Sequence, residues 1–582
     1  MTSRRGLIRR NWPPSSIISI QRPRKWAGFK APAGNSIIRY LHKWHDVLGV
    51  ASPKTADRLD IQSPNGLILQ PVTERDTIHL FKHSQLETVK AWLNHPAHSA
   101  MPLHARIQRA IRQLIVDGVL SRGKPLPASR SLSKSLGVSR DTVEAAYAQL
   151  HAEGFIDRRV GSGSFVAQIT EFSPGHRRSG RDIKSKNQPP ELSRRGNAMF
   201  QSGGVREILT PRPFAPGIPD TRNFPLALWE RLQRQILKEI GTQTLLHGDP
   251  QGVEPLRRAI ADYINLERGA RATADRVLIL TSSQQALTLC ANVLLDPGEC
   301  IYIEDPAYYG ARKAFDVAGL NCVPVPLDQQ GLTTETILND PSPARAVFLT
   351  PSHQFPTGAT LALDRRLALI EWANRNRCWI IEDDYDSEFH YAGKPTACMQ
   401  GLDQRDRTIY IGTFTKSLFP GLRIGYAVLP PQLIKPMTTA RTLLDGHTAS
   451  ISQYTLARFI EGGHFGAYIR MMRSIYAQRL EMLAQLVRKY LAGFVEPRVP
   501  VGGLQMPCIL TCNISEQAVL EAARRSDIEL LGLSALYAKD EGEAGFLLGF
   551  AAYTPAELEI AIRKLERIFQ TLKSNQAIQL QK

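Results

Sequence analysis

At 582 residues the chain is too long for a single hydrophobic core, so at least two domains are expected. Its 43% hydrophobic and 22% charged content is that of a globular protein and excludes a fibrous or wholly disordered class. No stretch approaches the ~18 apolar residues of a membrane span, and Lys+Arg 72 against Asp+Glu 54, a net +18, favours a polyanionic partner.

Residues 1–98 are basic and proline-punctuated, and no function is assigned to them. The first 50 hold ten Lys/Arg and one acid, Asp46, so half of the excess charge is a basic leader. That leader continues into Asn11-Trp12-Pro13-Pro14 rather than an apolar run, which argues against a secretory signal. All seven cysteines lie at or beyond Cys290, without a CxxC pair. Reduced thiols in a cytoplasmic protein are expected, and no metal site.

Residues 99–168 read as a compact DNA-binding module. Apolar residues at 103, 107, 111, 114 and 115 make a helical stripe that Gly118 ends. A short helix over Ser131–Leu136 is closed by Gly137, and Ser139 can cap a third helix running to Glu153. Gly137-Val138-Ser139 is the tight connection of a helix-turn-helix, and the third helix opens on Arg140-Asp141-Thr142, where side chains reach base edges. Phe155 to Val166 alternates around Gly161-Ser162-Gly163, a β-hairpin wing with Arg158 and Arg159 at its base. Residues 169–208, with Ser173-Pro174-Gly175, Pro189-Pro190 and two arginine pairs, read as a basic linker.

From about residue 209 to 570, helical patterns alternate with apolar strands at Val277–Thr281, Cys300–Glu304, Ala346–Thr350, Trp379–Glu382 and Thr408–Gly412. This predicts an α/β domain with a mainly parallel sheet, followed by a 571–582 tail. Ligands of such sheets gather beyond the strand ends. There the chain offers Thr281-Ser282-Ser283-Gln284-Gln285 before a helix expected near Ala286, a phosphate-binding arrangement. It also offers Glu304-Asp305-Pro306-Ala307-Tyr308, Asp383-Asp384-Tyr385, and Gly412-Thr413-Phe414-Thr415-Lys416 with Arg423 seven residues on. An amine for an aldehyde, an acid for a ring nitrogen, and hydroxyls with a guanidinium for a phosphate suit pyridoxal 5'-phosphate (PLP).

Two resemblances follow. The string Gly-Val-Ser-Arg-Asp-Thr-Val, Ala-Tyr-x-x-Leu, Ala-Glu-Gly-Phe and Gly-Ser-Gly-Ser-Phe-Val closely resembles the GntR-type winged-helix family. By that likeness Arg130, Arg140, Thr142 and Gly163 fall at DNA-contacting positions. Residues from about Phe214 to Gln570 resemble the class I, fold-type I aminotransferases. The runs Thr350 to Gly358, Glu382 to Phe389 and Gly412 to Lys416 match the branch fused to GntR-type domains, the MocR subfamily. The resemblance implies a large PLP-dependent transferase domain with a smaller C-terminal α+β part. It implies Lys416 as the aldimine lysine, Asp383 (or its neighbour Asp384) against the pyridine nitrogen, Tyr385 on the ring oxygen and Tyr308 stacked on the ring. Ser283, Gln284, Thr413 and Arg423 would hold the phosphate. It further implies a homodimer that binds operator DNA and senses PLP, an amine or an amino acid. The rival is a working aminotransferase with an attached DNA-binding domain.

Three departures bear on activity. Phe355 replaces the asparagine usual before Pro-Thr-Gly, so one ring-oxygen contact is missing or moved to His353 or Gln354. His247 stands where a phosphate-reaching tyrosine is common. Leu547, in Gly545-Phe-Leu-Leu-Gly-Phe-Ala551, stands where many aminotransferases carry the arginine that clamps an α-carboxylate. Arg470, Arg473 and Arg563 are the nearby candidates to replace it.

Overall fold

The computed structural model describes residues 88–93, 101–159, 161–168, 192–205, 210–393, 396–539 and 542–580. The basic leader and most of the linker lie outside this set. The chain divides into two compact units, residues 1–184 and 185–582.

In the first unit, α1 (Leu103–Val116) buries Ile107, Ala110, Ile111, Leu114 and Ile115, one face of a helix. Helix α2 (Ser129–Leu136) starts a residue pair earlier than expected and stops at Gly137, whose left-handed conformation suits a residue without a Cβ. Ser139 caps α3 (Arg140–Ala152) by accepting a hydrogen bond from the Thr142 amide. Strands β1 (Ile156–Arg159) and β2 (Gly163–Val166) form the antiparallel wing, in register from Ile156 opposite Val166 to Arg159 opposite Gly163. Ile107, Leu132, Val143, Leu150, Ile156 and Val166 share one core. Full burial of each such side chain contributes about 1.5–3 kcal/mol.

The second unit opens with α4 (Arg194–Gln201), a helix inside the stretch expected to be linker. Lys313 donates to the Gly204 carbonyl just beyond it at 2.7 Å. An eight-stranded sheet follows, in the order β3-β10-β9-β8-β7-β4-β5-β6. Its strands are β3 (Val277–Leu280), β4 (Cys300–Asp305), β5 (Asn321–Asp328), β6 (Gly331–Leu332), β7 (Ala346–Leu349), β8 (Trp379–Asp384), β9 (Thr408–Thr413) and β10 (Gly425–Val428). The central pairs β5-β4, β4-β7, β7-β8 and β8-β9 are parallel, whereas β10 runs antiparallel to both β9 and β3. Strands β3 and β9 therefore point the same way, and their ends meet at one edge of the sheet. Both faces are covered, which explains why strands such as Val277–Leu280 are buried throughout. Alternation still assigns the faces: Ile409 and Ile411 enter one core and Tyr410 the other.

Toward the C-terminus, the long helices His464–Tyr490 and Pro555–Leu580 pack with an antiparallel sheet in the order β11-β12-β14-β13. Its strands are Val495–Pro497 (β11), Gln505–Leu510 (β12), Leu531–Gly532 (β13) and Gly545–Gly549 (β14). This is the smaller α+β part. Among the described residues no helix is long and apolar enough to cross a membrane.

Candidate functional site

Lys416 lies in the one-turn helix Phe414–Ser417 directly after β9. The apolar run Thr408–Thr413 makes a fully buried strand, and the Thr413 hydroxyl then accepts from the Thr415 amide at 3.2 Å to start the turn. Lys416 is half-buried, and its Nζ donates to the Gly217 carbonyl at 2.8 Å. A Cβ on Gly217 would stand 2.9 Å from that nitrogen, and the residue's φ of +67° favours glycine.

One strand away, β8 extends through Asp384, two residues beyond the expected end, and presents adjacent acids to opposite faces. The Asp384 carboxylate accepts from Arg268 Nε at 2.8 Å and from the Tyr410 hydroxyl at 2.7 Å. Asp383 Oδ1 is buried and has no hydrogen-bond partner among the described residues. Burial, with Asp384 and Asp386 adding negative charge and Lys416 opposing them, pushes its carboxyl up to about 8. The two acids are thus separated: one is committed to an arginine and a tyrosine, the other has an idle oxygen.

The Tyr385 hydroxyl stands 3.2 Å from His353 Nδ1, which is 3.0 Å from an Asp386 oxygen. Burial alone would lower the His353 pKa, but Asp386 outweighs it and raises it. Tyr308 folds over Gly310, where any Cβ would strike its ring, and meets Phe355 edge-to-face with centroids 5.7 Å apart. Gln354 is occupied structurally, donating to the Pro306 and Phe355 carbonyls.

The helix after β3 begins at Ser283, three residues earlier than expected, because Ser282 caps it by accepting from the Gln285 amide at 3.2 Å. Gln285 accepts from both the amide and hydroxyl of Thr281. Gln284 donates to the Gly310 carbonyl at 2.9 Å, while its buried Oε1 has no partner among the described residues. A Cβ on Gly425 would reach the Ser282 backbone at 3.0 Å, so β10 packs tightly against this helix start. Exposed Arg423, with φ +54°, forms the turn before β10. Ser283, Gln284, Thr413 and Arg423 therefore lie on segments that adjoin the ends of β3 and β9 and the start of β10.

The departures also have definite surroundings. Leu547 is fully buried in an apolar cluster with Phe355, Leu533 and Leu536, flanked by Tyr308, Tyr309, Tyr385, Ile509 and Leu531. Both substitutions thus lie in the same patch. Of the candidate replacement arginines, Arg563 pairs with Glu559 one turn away, Arg473 donates to the Glu388 carbonyl, and Arg470 is exposed. His247 is exposed and faces the His447 ring. Gly217, Arg268 and Gln505 also belong to the site but carry no motif. Each lies more than eighty residues from the groups it meets, so periodicity and spacing give no sign of them.

In the winged unit, Arg130, Arg140 and Gly163 are exposed, and Thr142 is half-buried beside the Ser139 hydroxyl at 2.7 Å. Among the described residues, the ion pairs of this unit join Arg112 to Glu153 and Arg158 to Glu144, and Arg130 and Arg140 stand at the starts of α2 and α3. Arg159 stacks on Phe165 in the wing.

Comparison with known proteins agrees with this architecture. Residues 103–166 match the family of bacterial regulatory proteins, gntR family, and residues 220–565 match aminotransferase class I and II. The chain is 33% identical over 480 residues to the probable rhizopine catabolism regulatory protein MocR of Rhizobium meliloti, covering 82% of this chain and 96% of that one. It is 28% identical to the pyridoxine biosynthesis transcriptional regulator PdxR of Corynebacterium glutamicum, covering 78% and 93%. Among solved structures it resembles the α-aminoadipate aminotransferase LysN of Thermus thermophilus. The TM-score is 0.60 at 26% identity, over 65% of this chain and 98% of that one. The large domain therefore has the fold of the PLP-type aminotransferases, and a DNA-binding domain of regulator type precedes it. The chain belongs to the MocR subfamily of GntR-type transcriptional regulators, in which a winged helix is joined to an aminotransferase-like domain.

Proposed function

We propose that this regulator binds PLP at Lys416 and that occupancy of this site, by PLP alone or with an incoming amine, shifts the affinity of the winged helix for operator DNA. The observation that carries the reading is the idle, buried oxygen of Asp383 one strand from the Lys416 amine. A buried acceptor without a partner costs about 1–3 kcal/mol, and a protonated ring nitrogen is the donor that would satisfy it. The unpartnered Gln284 oxygen and buried Ser417 hydroxyl fit the same conclusion, because a bound phosphate ester and its water supply partners for both.

In this reading Lys416 supplies the amine and Asp383 holds the ring nitrogen's proton. Tyr385, oriented by His353 and Asp386, faces the ring oxygen, and Tyr308 covers the ring. Ser283, Gln284, Thr413 and Arg423 bind the phosphate. PLP, when bound, supplies an electrophilic carbon that primary amines attack reversibly. Arg140 and Thr142 read base edges, while Arg130 and the wing at Gly163 meet the DNA backbone. The regulator works as a homodimer in the cytoplasm.

A ligand shifts the DNA equilibrium only by as much as it distinguishes the two states. The test is to reduce the PLP-loaded full-length protein with borohydride and map the adduct. Labelling at Lys416 supports the reading, and labelling of a different lysine overturns it.

A further inference from the structure

We infer that the ligand reaching Lys416 is a primary amine with an uncharged, mainly apolar body carrying a hydrogen-bond donor such as a hydroxyl, and that Gln505 reads that donor. This rests on the proposed role of Lys416 and names the chemical class that the site accepts.

The argument starts from strand register. In the small sheet Gln505 stands opposite Gly549, Pro507 opposite Leu547, and Ile509 opposite Gly545, while Leu531 faces Leu547 from the other side. Opposed residues project to the same face, as do alternate residues along a strand. Gln505, Pro507, Ile509, Leu531 and Leu547 therefore share one face, whose apolar members pack with Phe355, Tyr308 and Tyr385. Its polar members are Gln505, which is buried, and Glu496, opposite Ile509 on β11, which is exposed.

Gln505 is 3% exposed, and its Oε1 has no hydrogen-bond partner among the described residues. It points toward the lysine: the position of a Cβ on Gly217 lies 3.5 Å from Gln505 Oε1 and 2.9 Å from Lys416 Nζ. An unpartnered buried amide beside a reactive amine is a position for a ligand's donor.

Charge disfavours the alternative of an α-carboxylate. Arg268, the buried guanidinium nearest the acids, is committed to Asp384 and Ser352. Arg312 is held by Asp305 and the Tyr537 carbonyl. Burial pushes Glu304 up to about 7 and Asp383 up to about 8, so the surroundings already disfavour negative charge. A carboxylate placed against Leu547 and Phe355 would lose its water to an apolar wall, an unfavourable exchange, and the positive charge that Asp386 favours on His353 is already opposed by that acid. An alcohol costs far less to bury and gives Gln505 its partner.

The experiment uses full-length protein loaded with PLP. Its visible spectrum is titrated with two matched series: L-leucinol, L-leucine and isopentylamine, then L-phenylalaninol, L-phenylalanine and 2-phenylethylamine. The half-saturating concentration of an alcohol should be at least about tenfold below that of the matching acid in one or both series. Gln505→Leu should erase the advantage of alcohol over plain amine, and Leu547→Arg should favour the acid. Thermal stabilisation by the same compounds gives an independent readout. Acids acting as strongly as alcohols in both series, or no response to any amine, overturn the inference. A protein that takes up no PLP at Lys416, seen before any amine is added, overturns the reading beneath it and the inference with it.

Discussion

Asp383→Asn should stabilise the unloaded protein at neutral pH while weakening its hold on PLP. The Asp383 carboxyl has an ordinary value near 3.8, and in the folded chain burial and the neighbouring Asp384 and Asp386 push it up to about 8. Between those values the folded state binds a proton that the unfolded state has lost, so stability falls as pH rises, by about 1.4 kcal/mol per unit at most. From pH 5 to pH 7 this amounts to a loss of a few kcal/mol. Asparagine has no such proton to lose. Other buried acids, Glu304, Glu382 and Glu388, are pushed up as well, but they are common to both proteins and cancel in the comparison. Urea unfolding at both pH values, followed by fluorescence of Trp229, Trp372 and Trp379, gives the difference. The gap in favour of Asp383→Asn should widen from pH 5 to pH 7, and PLP affinity should drop by about 1.5–3 kcal/mol, the size of a charge-assisted hydrogen bond. Asp384→Asn should do the opposite to stability, because it strands the buried Arg268 guanidinium, at a cost of about 3–5 kcal/mol. Equal pH slopes for the wild type and Asp383→Asn, or equal PLP affinities, would refute this assignment.

Lys416→Ala should abolish the visible band of lysine-bound PLP, read by absorbance, even where phosphate and ring contacts still retain some cofactor. Arg140→Ala should weaken operator binding by about 1–3 kcal/mol and relax sequence preference, measured by anisotropy on selected and random duplexes. Equal loss on both would make Arg140 a phosphate contact. Binding of the wild type should also fall steeply between low and physiological salt. Transamination should be weak or absent, since Leu547 and Phe355 leave no clamp to align a substrate and a 1 Å misplacement costs ~10²-fold. Single-turnover formation of the pyridoxamine form at ordinary enzyme rates would contradict this.

Much of the architecture was legible in the chain because the signals were local. Ser139 does cap a helix, Gly137 does close one, and the Gly161-Ser162-Gly163 turn does join the wing strands. Strands β3, β4, β7, β8 and β9 announced themselves as short apolar runs, whereas the four-residue β10 went unread. Strand β5 was missed too, because Pro324 and Pro326 interrupt it; it tolerates them near the sheet edge, where β6 covers only its end. Helix α4 was read as linker because it buries no residue and contains a glycine, so no apolar stripe marks it. At the site, residue types and order located the lysine and the acids, but not the division of labour between Asp383 and Asp384. What distinguishes the two in the structure is the bond of Arg268 to Asp384, 116 residues away in sequence. Gln505 was invisible for the same reason: its significance comes from register with Gly549 and proximity to Gly217, both tertiary facts.

The coupling between the two domains is tested most directly by one binding measurement. A duplex selected from a random pool by full-length protein is titrated with loaded wild type, unloaded wild type and Lys416→Ala, each at fixed salt. The two wild-type forms should differ by at least about fivefold, a coupling of 1 kcal/mol or more, and PLP should leave the affinity of Lys416→Ala unchanged. Identical affinities for loaded and unloaded wild type would contradict the account.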